Sequence, residues 1–99
     1  MSETRSHCGA LVLSARDNVA AVLKGAKAGE SIGIGSAAIV CLDDVPPGHK
    51  IALRAIVRGD KIIKFGAPIG TATRDIAPGG HVHVHNVVSD YTPTRQLRV

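Results

Sequence analysis

Three histidines at alternate positions, His81, His83 and His85, with Val82 and Val84 between them, have the types and spacing most suggestive of chemistry. On an extended strand, a period of two turns the imidazoles to one face and the valines to the other. Neighbours in such a row stand roughly 6.5 to 7 Å apart. Two of them reach a shared metal ion if the strand end curls, whereas three on one regular strand do not. His81, His83 and His85 are therefore candidate metal ligands, two at a time, completed from another segment or chain. Asn86 or a carboxylate is placed to orient a ring through its second nitrogen. The competing reading is a solvated strand face, because no cysteine or glutamate completes a zinc spacing.

His49-Lys50, just after Pro46-Pro47-Gly48, is the second candidate. An imidazole near its ordinary pKa serves as acid or base, and an adjacent lysine binds a carboxylate, so both are candidate catalytic residues. Lys50 and Arg54 are candidate substrate-binding residues. Arg54, Lys64 and Arg74 read either as carboxylate clamps or as solvated charges. No Gly-x-Ser-x-Gly is present, and neither cysteine sits in a nucleophile context. Cys41 reads as a small core residue, Cys8 lies near the terminus, and both are expected as free thiols. Gly66-Ala67-Pro68-Ile69-Gly70 lacks the Lys-Ser or Lys-Thr of a phosphate loop and reads as a corner of close backbone approach.

The elements that must carry these residues are short. Glycines recur from Gly25 to Gly80, which leaves room for one or two short helices at most. Four places repeat a turn followed by a β-branched residue, at Gly29, Gly48, Gly59 and Gly79, and Pro47 and Pro78 set up two of them. Their uneven spacing suggests hairpin punctuation rather than a repeat. Strands are expected at 11–13, 32–34, 37–42, 50–53, 61–65, 69–73 and 81–88. Residues 17–28 fit a short helix capped by Asp17 or a strand equally well. Residues 43–48 form a loop, since Pro46 and Pro47 exclude a central strand. The expected fold is mostly β and mostly antiparallel, a single domain over residues 8–91 with flexible tails at 1–7 and 92–99.

Ninety-nine residues, 44% hydrophobic and 20% charged, fit one small core and exclude a two-lobed enzyme. Little remains from which to carve a deep pocket, so a partner is expected. Aromatics are 2%, which leaves Ile, Val, Leu and Ala to build the core and favours strands. The net charge of +4 is scattered singly, and stacking aromatics are nearly absent. That argues against nucleic acid and for small anions or an acidic partner. No apolar run approaches a membrane span or a secretory h-region, so a soluble cytoplasmic protein is expected.

In order along the chain, 43–53 (DDVPPGHKIAL), 59–73 with its KFGAPIGTAT, and 81–86 (HVHVHN) resemble the small amino-terminal module of the altronate and galactarate dehydratase family, an SAF-type domain of β-clip fold. Residues 17–20 (DNVA) are similar to that family's opening segment, so the resemblance covers roughly 11–88. It implies a lyase that eliminates water from sugar acids or sulfite from sulfolactate, with a divalent metal, commonly iron. It also implies a large lyase subunit as partner, a small anionic hydroxyacid as substrate, and a homo- or hetero-oligomer. His49, Lys50, His83 and His85 match family motif positions. Two positions depart from the pattern: Gly80 stands where an acidic residue is common, and Val45 replaces isoleucine. The alternatives are a non-catalytic ligand-binding or scaffolding module and a free-standing metal or sugar-acid binding domain.

Overall fold

In the computed structural model, residues 9–12 and 14–90 are described; Cys8, Leu13 and the expected tails 1–7 and 92–99 lie outside them. Eight strands follow one another: β1 Val19–Ala21, β2 Ser31–Ile34, β3 Ala37–Val40, β4 Lys50–Ala52, β5 Lys61–Lys64, β6 Ala67–Ala72, β7 His81–Val82 and β8 Val87–Ser89. They form three small antiparallel sheets, ordered β1-β4-β7, β2-β3 and β5-β6-β8. No helix occurs among the described residues.

The segment that fitted helix or strand is a strand, and Asp17 caps nothing. Its Oδ1 accepts the Gly66 N–H at 2.7 Å. Asn18 next to it is buried, and its side chain donates to the Lys61 carbonyl (2.8 Å) and accepts from the Ile63 N–H (2.7 Å). These long-range bonds satisfy the backbone of β5 and hold β1 extended. The expected strand 81–88 breaks in two. β7 ends at Val82, and 83–86 turn before β8 begins. Residues 66–70 also divide: Phe65 (φ 55°) and Gly66 (φ 78°) make a two-residue hairpin loop, while the close approach falls on Gly70. A Cβ at Gly70 would stand 2.6 Å from the Val88 carbonyl oxygen, so β8 could not lie there.

What looked like irregular punctuation is a duplication. The bridge Ala26–Val45 recurs as Ile56–Ile76, and hairpin β2–β3 recurs as β5–β6. The supporting bonds recur too. Asp44 Oδ1 accepts the Ala28 N–H (2.9 Å) as Asp75 Oδ1 accepts the Arg58 N–H (2.8 Å). Glu30 accepts from Lys27 N–H (3.0 Å) as Asp60 accepts from Val57 N–H (3.1 Å). The offset is 30 residues from Ala26 to Ile56 and 31 from Val45 to Ile76. The extra residue is a bulge on β6, where Ile63 pairs Pro68 but Ile62 pairs Gly70. One inserted residue hid the period from the sequence.

Each repeat has its own core, on opposite faces of the β1-β4-β7 sheet. Val22, Ile32, Cys41, Val45 and Ile51 pack together, and Val19, Ala52, Ile56, Ile62, Ala72, Ile76, Val82 and Val87 form the second cluster. Successive residues of β4 supply opposite cores, as the pleat requires. Cys41 is the core residue expected; its Sγ donates to the Asp43 carbonyl, and burial pushes its thiol pKa up.

Gly48 and Gly79 occupy the same place in the two Pro-Gly turns, at φ 83° and 85°, but only Gly79 has a close neighbour, the Val40 carbonyl. Gly48→Ala therefore incurs left-handed strain alone, about 1–2 kcal/mol. Gly79→Ala adds a steric clash of about 1–3 kcal/mol. Urea unfolding of the two variants should show the larger loss for Gly79→Ala; equal losses would contradict the tight approach of that turn to β3.

Candidate metal centre

Two type II turns launch the site. In each, proline sets the second position, glycine takes positive φ at the third, and the fourth N–H bonds back: His49 to the Pro46 carbonyl (3.0 Å) and Gly80 to that of Ala77 (2.9 Å). The strands leaving these turns, β4 and β7, pair antiparallel with Lys50 opposite Val82 and Ile51 opposite His81. One step further, His49 falls opposite His83. Parity thus puts His49, Ile51, His81 and His83 on one face and Lys50 with Val82 on the other.

The imidazoles crowd together. His49 stacks on His83 with ring centroids 4.0 Å apart, and His81 lies 5.1 Å from His49 and 5.8 Å from His83. His49 Nδ1 and His81 Nε2 are 2.9 Å apart, a hydrogen bond whose donor is set by the tautomers. One ligand atom from each of His49, His81 and His83 lies within 4.8 Å of the others, close enough for small side-chain shifts to bring all three onto one ion. His83 Nδ1 is buried with no hydrogen-bond partner, which marks it as a donor set aside for something else.

Backbone bonds hold the group in place. Asn86, 4% exposed, accepts the His83 N–H (3.0 Å) and donates to the His81 carbonyl (2.9 Å). It fixes the loop backbone, whereas the sequence suggested that it would orient a ring. Asp43 Oδ2 accepts the His81 N–H at 2.9 Å. Nothing in the local sequence tied Asp43 to this site; its contact spans 38 residues.

The site resists protonation. Burial first, then His85, His49 and His83, hold the His81 imidazole below its ordinary value, with Asp43 opposing. Burial, His49, Lys50 and His85 do the same to His83. Lys50, 6% exposed on the opposite face, has its ammonium pKa lowered by burial and by Lys64.

Of the residues singled out in the sequence, the structure gathers His49, His81 and His83. His85 is exposed in the turn and tilts against His81 at 5.1 Å, outside the three-ligand group. Lys50 reaches His83 electrostatically from the far face. Arg54 lies elsewhere, with its Nη1 donating to the Asp17 carbonyl (3.2 Å). A shallow groove lined by Lys24, Lys27, Glu30, Asp44, Pro46 and Pro47 includes none of the histidines. No helix of the described residues is long and apolar enough to cross a membrane.

The chain matches the family profile described as the altronate/galactarate dehydratase SAF domain over residues 8–90. It is 45% identical over 71 residues to altronate dehydratase of Bacillus subtilis, covering 72% of this chain and 14% of that protein. The altronate dehydratase of Escherichia coli is 40% identical over 86 residues, covering 87% of this chain and 17% of that protein. The (2R)-sulfolactate sulfo-lyase subunit alpha of Paracoccus pantotrophus is 51% identical over 43 residues, covering 43% of this chain and 64% of that protein. The chain thus matches about a seventh of one dehydratase, about a sixth of the other and just under two thirds of the sulfo-lyase subunit.

Two expectations follow. With His81 and His83 held below the ordinary imidazole value of 6.5, the unfolded chain takes up protons that the folded chain refuses, so stability falls as pH drops below that value. Urea midpoints should decline from about pH 7.5 to about 5.5, less steeply in His83→Gln, and equal slopes would contradict the pKa shift. Asn86→Ala should cost about 1–3 kcal/mol in the same assay by orphaning the His83 N–H and the His81 carbonyl; a neutral result would show that the turn is held by other contacts.

Proposed function

The chain belongs to the altronate/galactarate dehydratase SAF domain family, and on that premise we propose that it is the small, histidine-bearing component of a hydroxyacid lyase, completed by a larger chain. The reaction is elimination from a small anionic hydroxyacid, either of water as in an altronate-type dehydratase or of sulfite as in a sulfolactate-type sulfo-lyase. The convergence of His49, His81 and His83 carries this reading.

These three residues would hold a divalent cation, Fe²⁺ by the family resemblance, and the unpartnered His83 Nδ1 and an all-imidazole donor set fit such an ion. Bound there, the cation supplies a Lewis acid for the negative charge that develops when the proton beside a carboxylate is removed. The chain's own residues prepare the ground. His81 and His83 are held neutral near pH 7, so binding an ion displaces no proton from them. The 2.9 Å contact between His49 Nδ1 and His81 Nε2 is a hydrogen bond that an ion ligated through either of those atoms would replace. Lys50, buried on the face opposite the imidazoles, would add positive charge behind the site rather than touch the substrate there. Arg54 adds positive charge at longer range. The larger chain would close over this open face, and a buried free thiol at Cys41 fits a cytoplasmic protein.

A second reading rests on the same contact. The His49–His81 hydrogen bond ties the Pro-Gly turns of the two repeats together, so the cluster could serve as a clasp in a scaffolding module. Anaerobic calorimetry of the chain with Fe²⁺, and separately with Zn²⁺, distinguishes the two. One ion per chain is expected, with affinity reduced at least about tenfold in His49→Ala and His83→Ala. Paired with a larger lyase chain, the same variants should lose turnover. Absent binding together with unchanged turnover would leave only the clasp.

A further inference from the structure

The two repeats differ most at the outer edges of their hairpins. In the second, β8 covers β6 from Gly70 to Ala72, and the Asp90 N–H continues to the Ile69 carbonyl (3.3 Å). The next position is Pro68, which has no N–H to offer, and Lys61 and Lys64 flank the hairpin. Each of these is a known guard of a sheet edge. The first hairpin lacks all of them. Ala38 stands for Pro68, Ser31 and Ile34 stand for the two lysines, and no strand lies on β3 among the described residues. Residues 31–42 carry no charge at all, in a chain that is 20% charged. Val40 and Leu42 are 56% and 51% exposed.

Hydrogen-bond parity identifies the open position. In a two-residue hairpin the pair flanking the loop, here Ile34 and Ala37, exchanges bonds, so the next pair, Gly33 and Ala38, points its backbone groups outward. On the β2 side, the Gly33 carbonyl does accept an outside donor, the Ala10 N–H at 3.2 Å. On the β3 side, the Leu42 N–H bonds to Gly79, whose turn also lies against the Val40 carbonyl. Ala38 makes no such bond to another described segment.

We propose that β3 pairs antiparallel with β3 of a second copy of this chain, about a two-fold axis at Ala38, to give a four-stranded sheet β2-β3-β3-β2. The free edge calls for a short, uncharged strand with small side chains, and β3 itself meets that description. Self-pairing opposes no like charges, because residues 31–42 carry none. The two Ala38 residues would exchange both N–H and C=O bonds, with Ala37 opposite Ile39 and Ser36 opposite Val40. The second repeat supplies the template, since its hairpin is completed by a third antiparallel strand. The dimer stands apart from the lyase reading and needs neither metal nor a larger chain.

Sedimentation equilibrium of the full chain across micromolar to millimolar concentrations provides the test. The mass should rise from 10.2 kDa to twice that value. Ala38→Pro installs the residue that the second hairpin already carries at the same place, so it should fold, keep its melting temperature in dilute solution and remain monomeric. Val40→Lys should weaken dimerisation at least about tenfold by charging the edge. A wild-type chain that is monomeric throughout overturns the proposal. If the Ala38 amide is then slow to exchange, the chain covers its own edge; if it exchanges rapidly, the edge is left for a different partner. A dimer unaffected by both variants overturns the proposal equally.

Discussion

The register of β7 on β4 is the constraint from which the rest follows. With Ile51 opposite His81, His49 must come opposite His83, and the three imidazoles share the face that Ile51 shares with the first core. A slip of β7 by one residue would bring Val82 to that face and turn His81 and His83 away from His49 toward the second core. Two hydrophobic clusters on opposite sides of a three-stranded sheet make such a slip costly in both directions. The site is therefore held by packing that contains no functional residue, and Asn86 and Asp43 add only the last fixing of the loop.

The duplication explains how a chain of this size assembles such a cluster. The same Pro-Gly turn is used twice, and the strands it releases meet edge to edge. The two copies have diverged where they meet. The counterpart of His49 is Gly80, and the counterpart of Lys50 is His81. Gly80 is crowded as well: a Cβ there would stand 2.9 Å from the Ala77 carbonyl oxygen and 3.0 Å from Ile76. A side chain at Gly80 is therefore resisted; the residue across the ladder from it is Ala52, while the imidazole of the first turn faces His83. The asymmetry is chemical, because the backbone of the two turns is nearly the same.

Burying Lys50, whose ammonium is disfavoured by burial and by Lys64, and stacking three imidazoles both work against stability. Such groups are common where a site is built for a ligand. The uncharged hairpin is a second departure from a well-guarded fold. Elsewhere Asn18 and Asp90 are well partnered, although Asp17 Oδ2 is buried without a partner: Asp90 accepts from Thr71 at 2.8 Å and from Lys61 at 3.1 Å, and the Thr71 bond first holds its carboxyl below the usual range.

Much of this was legible in the residues alone. Composition pointed to a mostly β fold around Ile, Val, Leu and Ala with room for one or two short helices, whereas the clusters formed hold Ile, Val, Ala and Cys41 and no leucine. Pro47-Gly48 and Pro78-Gly79 announced their turns, since only proline and glycine supply those φ values cheaply. The alternation of His81 and His83 around Val82 gave their common face. Tertiary structure decided what no local pattern encodes: that Asp17 bonds to a hairpin 49 residues away instead of capping a helix, and that the row of histidines stops at His83. It also decided that the partner of that row is His49, 32 residues from His81. Strand pairing is set by which buried faces fit together across the fold, and that fit belongs to the folded chain as a whole rather than to any stretch of its sequence.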